Sequence, residues 1–418
     1  MSELYITGGR PLTGRVEIQG AKNSALPILA ATALSGGVSV IHNCPRLSDV
    51  ATTLDILRHL GCRVEREGHT VTVDSGPLDR CDIPERLMRE MRSSVIFLGV
   101  LLARTGQARV SLPGGCELGP RPIDLHLSAL RRMGADTRER GGSLRCRTRG
   151  LRGTEIALPI PSVGATENAM LAACGAEGLT ILYNAAREPE IWDLQQYLNA
   201  CGARVSGAGT STLVISGRPW LSGGEHRVIG DRICAATLLC AAGAAGGDVE
   251  VSGVPREQLL PVTQALSEAG CRLETGTDWV RLTSQGGLHS TSPIRTAPYP
   301  GFPTDAQPPL LAALSAGTGT TVLVETMFSN RYRCAMELAR MGAEIRVEGR
   351  VAVVTGHPLT GAALEAPDLR GGAALAVAAL AAQGESRITG LRHIDRGYEA
   401  LEDTLCALGA DARRVQRS

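Results

Sequence analysis

Two patterns of apolar spacing alternate along this chain. Segments such as "NSALPILAATAL" and "GGAALAVAALAA" are apolar on nearly every side, which suits helices enclosed by other elements. Segments such as "ILRHLGCRVE" and "YLNACGARVS" carry apolar residues on one helical face, reach a Gly and continue into a strand-like run. A Gly-containing turn and a short strand follow the first kind of helix, as in "SGGVSVIH" and "QGESRITG". Alternating runs such as "TVTVDSG" and "TLVISG" read as further strands. The predicted order is helix, strand, helix, strand, strand. The apolar helix lies inside and the amphipathic one nearer the surface.

This order recurs six times. The junction from helix to strand appears as "ILRHLGCRVE", "ALRRMGADTR", "YLNACGARVS", "ALSEAGCRLE", "ELARMGAEIR" and "TLCALGADAR", with Gly61, Gly134, Gly202, Gly270, Gly342 and Gly409. Their spacings of 73, 68, 68, 72 and 67 residues are too long for a solenoid and describe six small subdomains. Each Gly stands where a helix ends and a left-handed residue is needed. Cys62 and Cys271 fill a slot taken elsewhere by Ala, so they read as packing residues. The sixth copy stops at "LGADARRVQRS" with no closing strand, whereas the N-terminal "LYITGGRPLTG" resembles "LVISGRPWLSG" at 213–223 and "VAVVTGHPLTG" at 351–361. The N-terminal strands are therefore expected to complete the sixth copy. One domain is then continuous, 22–229, and the other combines 1–21 with 230–418. A cleft between two such domains is the expected substrate site.

Composition narrows the class. A chain of 418 residues exceeds one ordinary core, and 43% hydrophobic with 20% charged residues is globular. Aromatics at 3% leave the core to Leu, Val, Ile and Ala. A net charge of +1 gives no electrostatic basis for a nucleic-acid or membrane partner. The start "MSELYITGGR" lacks the regions of a signal peptide. The longest apolar runs, "VIFLGVLLA" and "AALAVAALAA", are too short to span a bilayer. A cytoplasmic location is expected. Twelve Cys without any C-x-x-C pair read as free thiols, and neither a zinc site nor a cofactor is expected. Lysine occurs once: of 43 Lys and Arg, all but Lys22 are Arg. A compact ammonium differs chemically from a planar guanidinium, so Lys22 stands out.

Unusual charges collect in two slots of the repeat. The start of the inner helix holds Lys22 and Asn23, Arg92, Thr166, Asp231 and Arg232, Asp305, and Arg370; the start of the outer helix holds Arg121, Arg187 with Glu188, Arg256, Arg331 and Arg396. The helix dipole disfavours cations at that end. They make sense beside a multiply charged anion that also uses the free N–H groups. Solvated surface Arg explains most of them singly, but explains their recurrence at one end of the units less well. Asp305, after "FPT", reads singly as an ordinary helix N-cap. Residues 111–126, "SLPGGCELGPRPIDLH", read as a strand, a Gly-rich loop and a helix opening near Arg121-Pro122. Cys116 lies in that loop, where a neighbouring Arg and a helix N-terminus make a thiol reactive or a usable proton donor. No G-K-[ST] follows, which excludes a nucleotide-triphosphate loop of the Walker type.

These segments resemble the UDP-N-acetylglucosamine enolpyruvyl transferase (1-carboxyvinyltransferase) family. The resemblance runs in order through "VEIQGAKNSALPILAA", "LPGGCELGPRPIDLH", "PSVGATEN", "NAAREPEIWDL", "YPGFPTDAQ", "ETMFSNRY" and "HIDRGYEALED". It implies an α/β fold, a two-domain inside-out α/β barrel of six βαβαββ repeats. It implies transfer of the enolpyruvyl group of phosphoenolpyruvate to the 3′-hydroxyl of UDP-N-acetylglucosamine, with phosphate leaving after a tetrahedral intermediate. Cys116 would be the proton donor and fosfomycin target, Asp305 the base and Lys22 a catalytic cation. Phosphoenolpyruvate would be held by Lys22, Asn23, Arg121, Arg331, Arg370 and Arg396. The sugar nucleotide would be held by Asn23, Arg92, Arg121, Pro122, Ile123, Asp124, Leu125, Ser162, Val163, Gly164, Asp305 and Met327. The chain departs from the family pattern at Ser48, at Cys234-Ala235 and at Pro309. Two alternatives stay open on the residues: 5-enolpyruvylshikimate-3-phosphate synthase, which shares fold and donor, and a non-catalytic UDP-sugar-binding regulatory paralogue.

Overall fold

The structure, a computed structural model, describes residues 2–111, 123–218 and 220–416. The chain divides into two compact units. One is formed by Met1–Gln19 with Gly230–Ser418, the other by residues within 20–229. Each holds three four-stranded sheets of one topology. In the third repeat, Glu155–Ala157 pairs parallel with Leu179–Tyr183, which pairs antiparallel with Thr212–Ser216, which pairs antiparallel with Arg204–Ser206. The alternation is legible in Thr212–Ser216, which buries Leu213 and Ile215.

The inner helices are Lys22–Thr32, Phe97–Thr105 and Val163–Cys174 in the unit within 20–229. In the other unit they are Arg232–Ala245, Gln307–Ser315 and Leu369–Ala381. Nearly all their positions are buried, as an all-apolar helix requires. Small residues let them approach closely: a Cβ on Gly99 would lie 2.4 Å from the Asn168 carbonyl oxygen. Outer helices such as Ser48–His59 bury one face. Each unit encloses its own aliphatic core. Cys62 and Cys271 are packed there as expected, and burial pushes both thiols up to about 11. Among the described residues no helix is long and apolar enough to cross a membrane.

The six junction glycines all adopt φ between 91° and 102°, the left-handed conformation their position demands. One strand falls elsewhere than expected. Ser2–Thr7 does complete the sixth repeat, lying between Glu385–Thr389 and Asp411–Gln416. Leu12–Glu17 does not; it pairs parallel with Gly247–Ser252 and opens the fourth repeat. The turn between the two N-terminal strands is thus a passage from one sheet to the next. The segment at 351–361 makes the same passage, from Val351–Thr355 in the fifth sheet toward Ala363–Glu365 in the sixth.

Candidate active site

In the unit within 20–229, Lys22 opens the first inner helix. Ala21 caps that helix and offers no side-chain acceptor. Pro27 lies inside it and has no N–H to donate to the Asn23 carbonyl. Lys22 is buried to 9% exposure, and its Nζ donates to Asp49 Oδ2 at 3.3 Å. Asp49 sits in the first turn of the Ser48–His59 helix and is itself buried. It offsets the cost of an ammonium at a helix N-terminus. Ser24 donates to Asp193, which also accepts from the Ile229 N–H at 3.3 Å and faces His226 Nε2 at 2.8 Å. The turn carrying Lys22 and Asn23 is thereby anchored.

The same unit brings together several expected nucleotide residues. Arg92 opens a 3-10 turn, Arg92–Ile96, ahead of the Phe97–Thr105 helix. Ile123 caps the Asp124–Arg132 helix, so Ile123, Asp124 and Leu125 form its opening. Ser162 caps the Val163–Cys174 helix, its side chain accepting from the Ala165 N–H at 3.4 Å. Val163 and Gly164 then supply N–H groups without carbonyl partners in the helix, a setting that favours phosphate oxygens. His126 lies against Gly164. Burial and the charge of Arg92 push its pKa down to about 4, against a weaker opposing pull from Asp124. Glu167, one turn further on, is buried near Glu190 and Glu188. Burial and then these two carboxylates raise its pKa well above the usual range.

In the other unit, Asp305 does not cap the Gln307–Ser315 helix; Ala306 occupies that position. Its carboxylate is instead bracketed. Arg331 Nη2 donates to Oδ1 at 2.7 Å and Arg370 Nε to Oδ2 at 3.1 Å. The Arg331 guanidinium also donates to the Thr304 carbonyl. Both arginine side chains are at most 2% exposed, while Asp305 keeps 28%. Arg370 Nη2 lies 3.1 Å from Asp305 Oδ2, whereas buried Nη1 finds no acceptor, and the guanidinium carbon lies 5.4 Å from the Tyr398 ring centroid. A buried cation with an unused donor suits an anionic ligand. Arg396 ends the 3-10 turn Ile394–Arg396. The next turn is held by Gln19, which donates to the Gly397 carbonyl at 3.2 Å and accepts from the Glu399 N–H at 2.8 Å. Met327 is 39% exposed.

Sequence reasoning missed two groups that shape these clusters. Asp49 partners Lys22. Buried Glu325 accepts from the N–H groups of Met327 and Phe328 and from the Thr304 hydroxyl. Glu325 stands in the singled-out segment "ETMFSNRY", where an acid two residues before exposed Met327 was the available signal. Cys116, Arg121 and Pro122 lie outside the described residues. Of the departures, Ser48 is the exposed first residue of its helix, and Cys234 is buried. Pro309 falls in a first helical turn, where its missing N–H costs no bond.

A sequence profile described as EPSP synthase (3-phosphoshikimate 1-carboxyvinyltransferase) matches residues 6–405. The chain is 51% identical over 416 residues to UDP-N-acetylglucosamine 1-carboxyvinyltransferase 2 of Caldanaerobacter subterraneus, covering 99% of this chain and 100% of the relative. It is 48% identical over 416 residues to UDP-N-acetylglucosamine 1-carboxyvinyltransferase 1 of Carboxydothermus hydrogenoformans, covering 99% of each. Among solved structures, the enolpyruvyl transferase NikO from Streptomyces tendae superimposes with a TM-score of 0.90 at 29% identity, covering 100% of this chain and 99% of that one. An EPSP synthase from Acinetobacter baumannii superimposes with a TM-score of 0.77 at 20% identity, with full coverage of both; at that identity the likeness speaks to the fold alone.

Proposed function

The chain belongs to the UDP-N-acetylglucosamine 1-carboxyvinyltransferase family of enolpyruvyl transferases, and from that premise we propose how this enzyme works. Its fold is the inside-out α/β barrel of six βαβαββ repeats. It transfers the enolpyruvyl group of phosphoenolpyruvate to the 3′-hydroxyl of UDP-N-acetylglucosamine and releases phosphate. The observation that carries this is identity of 46–51% over nearly the whole chain to enzymes named for that activity.

In the proposed mechanism Asp305 takes the proton of the 3′-hydroxyl as its oxygen adds to C2 of phosphoenolpyruvate, while Cys116 gives a proton to C3. Loss of phosphate with a C3 proton then restores the double bond. Lys22, Asn23, Arg121, Arg331, Arg370 and Arg396 hold the phosphate and carboxylate; the buried Nη1 of Arg370, which finds no acceptor, supports its place among them. Asn23, Arg92, Arg121–Leu125, Ser162–Gly164, Asp305 and Met327 hold the sugar nucleotide. Cys116 is also the proposed site of fosfomycin alkylation, the cytoplasm the proposed location and the first committed step of peptidoglycan synthesis the proposed role.

The test is phosphate release with phosphoenolpyruvate plus UDP-N-acetylglucosamine, beside phosphoenolpyruvate plus shikimate 3-phosphate and each substrate alone. Release that requires the sugar nucleotide is expected. Release only with shikimate 3-phosphate would overturn the acceptor. No release with either, despite a thermal shift with the sugar nucleotide, would replace the enzyme by a binding protein.

A further inference from the structure

We propose that Asn168 is a positioning residue that fixes the hydrogen-bonding role of His126, so that a neutral imidazole N–H is presented to oxygen acceptors of the sugar nucleotide. The proposal rests on the reading that Ser162–Gly164 hold that substrate.

Asn168 is fully buried in the Val163–Cys174 helix, and three other elements converge on it. Its Oδ1 accepts from the Gly99 N–H at 2.6 Å, and its Nδ2 donates to the Val95 carbonyl at 3.0 Å. Both partners are backbone groups whose roles cannot be exchanged, so they determine which way the amide points. The space for this arrangement is made by Gly99, where a Cβ would lie 2.4 Å from Asn168 Oδ1. The same Nδ2 lies 3.0 Å from His126 Nδ1. Since Nδ2 can only donate, Nδ1 must accept. An uncharged imidazole that accepts at Nδ1 carries its proton on Nε2.

The ring edge that bears Nε2 faces Gly164: a Cβ there would stand 3.1 Å from Cε1 and 3.4 Å from Nε2. Among the described residues His126 makes its one hydrogen bond through Nδ1. The Nε2–H therefore joins the unpaired N–H groups of Val163 and Gly164 as a third donor at one helix opening. A charged imidazolium would strengthen anion binding, but it would also carry a proton on Nδ1, facing the Asn168 donor. Asn168 thus trades charge for a fixed direction. It touches no substrate itself and acts through His126.

Two measurements test this. In the wild-type enzyme at pH 7, ¹⁵N spectra of labelled histidine are expected to show His126 neutral with its proton on Nε2. An Nδ1–H tautomer or a charged ring would overturn the proposal, with no variant needed. Asn168→Leu removes the donor that holds Nδ1 as an acceptor, without adding a charge beside the ring, and lets the proton shift to Nδ1. The expected result is a rise of roughly tenfold in KM for UDP-N-acetylglucosamine, the size of one lost hydrogen bond, with kcat changed far less. In a His126→Phe background the same substitution should add nothing further to KM. A lower melting temperature with unchanged KM would reduce Asn168 to a structural residue. Wild-type turnover with UDP-N-acetylglucosamine is the control: its absence would sink the functional reading itself, whereas turnover beside an Nδ1-protonated His126 would sink this proposal alone.

Discussion

Lys22 is the single lysine in a chain that otherwise uses arginine, and the structure gives the position a physical character. The ammonium is buried beside a buried carboxylate at the start of a helix. A guanidinium is longer and planar, and it needs a fork of acceptors where an ammonium needs only a point contact. Lys22→Arg is expected to keep the fold, because Asp49 can still pair with the new cation. It is expected to lower kcat on the order of a hundredfold or more, the cost of misplacing one charge-stabilising donor. Turnover close to wild type, beside unchanged circular dichroism, would refute the assignment. Lys22 was legible from composition alone. Asp49 was not, because it takes its role from a partner on another element, 27 residues away. Glu167 makes a separate prediction. Burial and two neighbouring carboxylates hold its pKa far above that of an unfolded chain. Between those two values the native state binds the extra proton, so stability contributed by this group is present at low pH and falls as pH rises. Glu167→Gln should flatten that decline and be the more stable form in alkaline buffer, as seen in urea midpoints across pH; parallel curves for both proteins would exclude the effect.

At the scale of elements, the junction glycines were the most legible feature. A helix that ends in a tight reversal needs a positive φ, and six glycines at one repeat position adopt it. Gly202 isolates the backbone cost, since a Cβ there would meet nothing within 4 Å and φ is 93°. Gly202→Ala is expected to lose about 1–2 kcal/mol of unfolding free energy, the left-handed penalty of an L-residue, with activity retained at moderate temperature. A chemical denaturation midpoint equal to that of the wild type would show that the turn relaxes instead. Helix openings were less legible. Three of the outer-helix cations, Arg256, Arg331 and Arg396, fall in 3-10 turns, which share the polar composition of a first α turn. Asp305 looked like a cap because its nearest sequence neighbours suit one. Its guanidinium partners stand 26 and 65 residues further along the chain, and no local pattern announces them.

At the scale of the whole molecule, repetition disclosed the six subdomains, but strand alternation alone could not assign each strand to its sheet. "LYITGGRPLTG" holds two alternating runs around one turn, and such a pattern fits a hairpin as well as a passage between sheets. Pairing decides it: Ser2–Thr7 and Leu12–Glu17 never pair with each other. This makes the first strand a long-range closure. Among the described residues Ser2–Thr7 is the only link between Glu385–Thr389 and Asp411–Gln416 in their sheet, so deleting residues 2–7 removes ladder hydrogen bonds on both sides at once. Buried Leu4 and Ile6 go with it and take apolar contacts from the core of Met1–Gln19 with Gly230–Ser418. The unit within 20–229 uses neither residue in its own core. Hydrogen–deuterium exchange of the deletion variant should therefore show fast exchange at 385–389 and 411–416, together with continued protection in Val38–His42, Leu179–Tyr183 and Thr212–Ser216. Protection kept at 385–389 would mean that the sixth sheet closes without its N-terminal strand. Protection lost throughout 38–216 would mean that the two cores fold as one cooperative body.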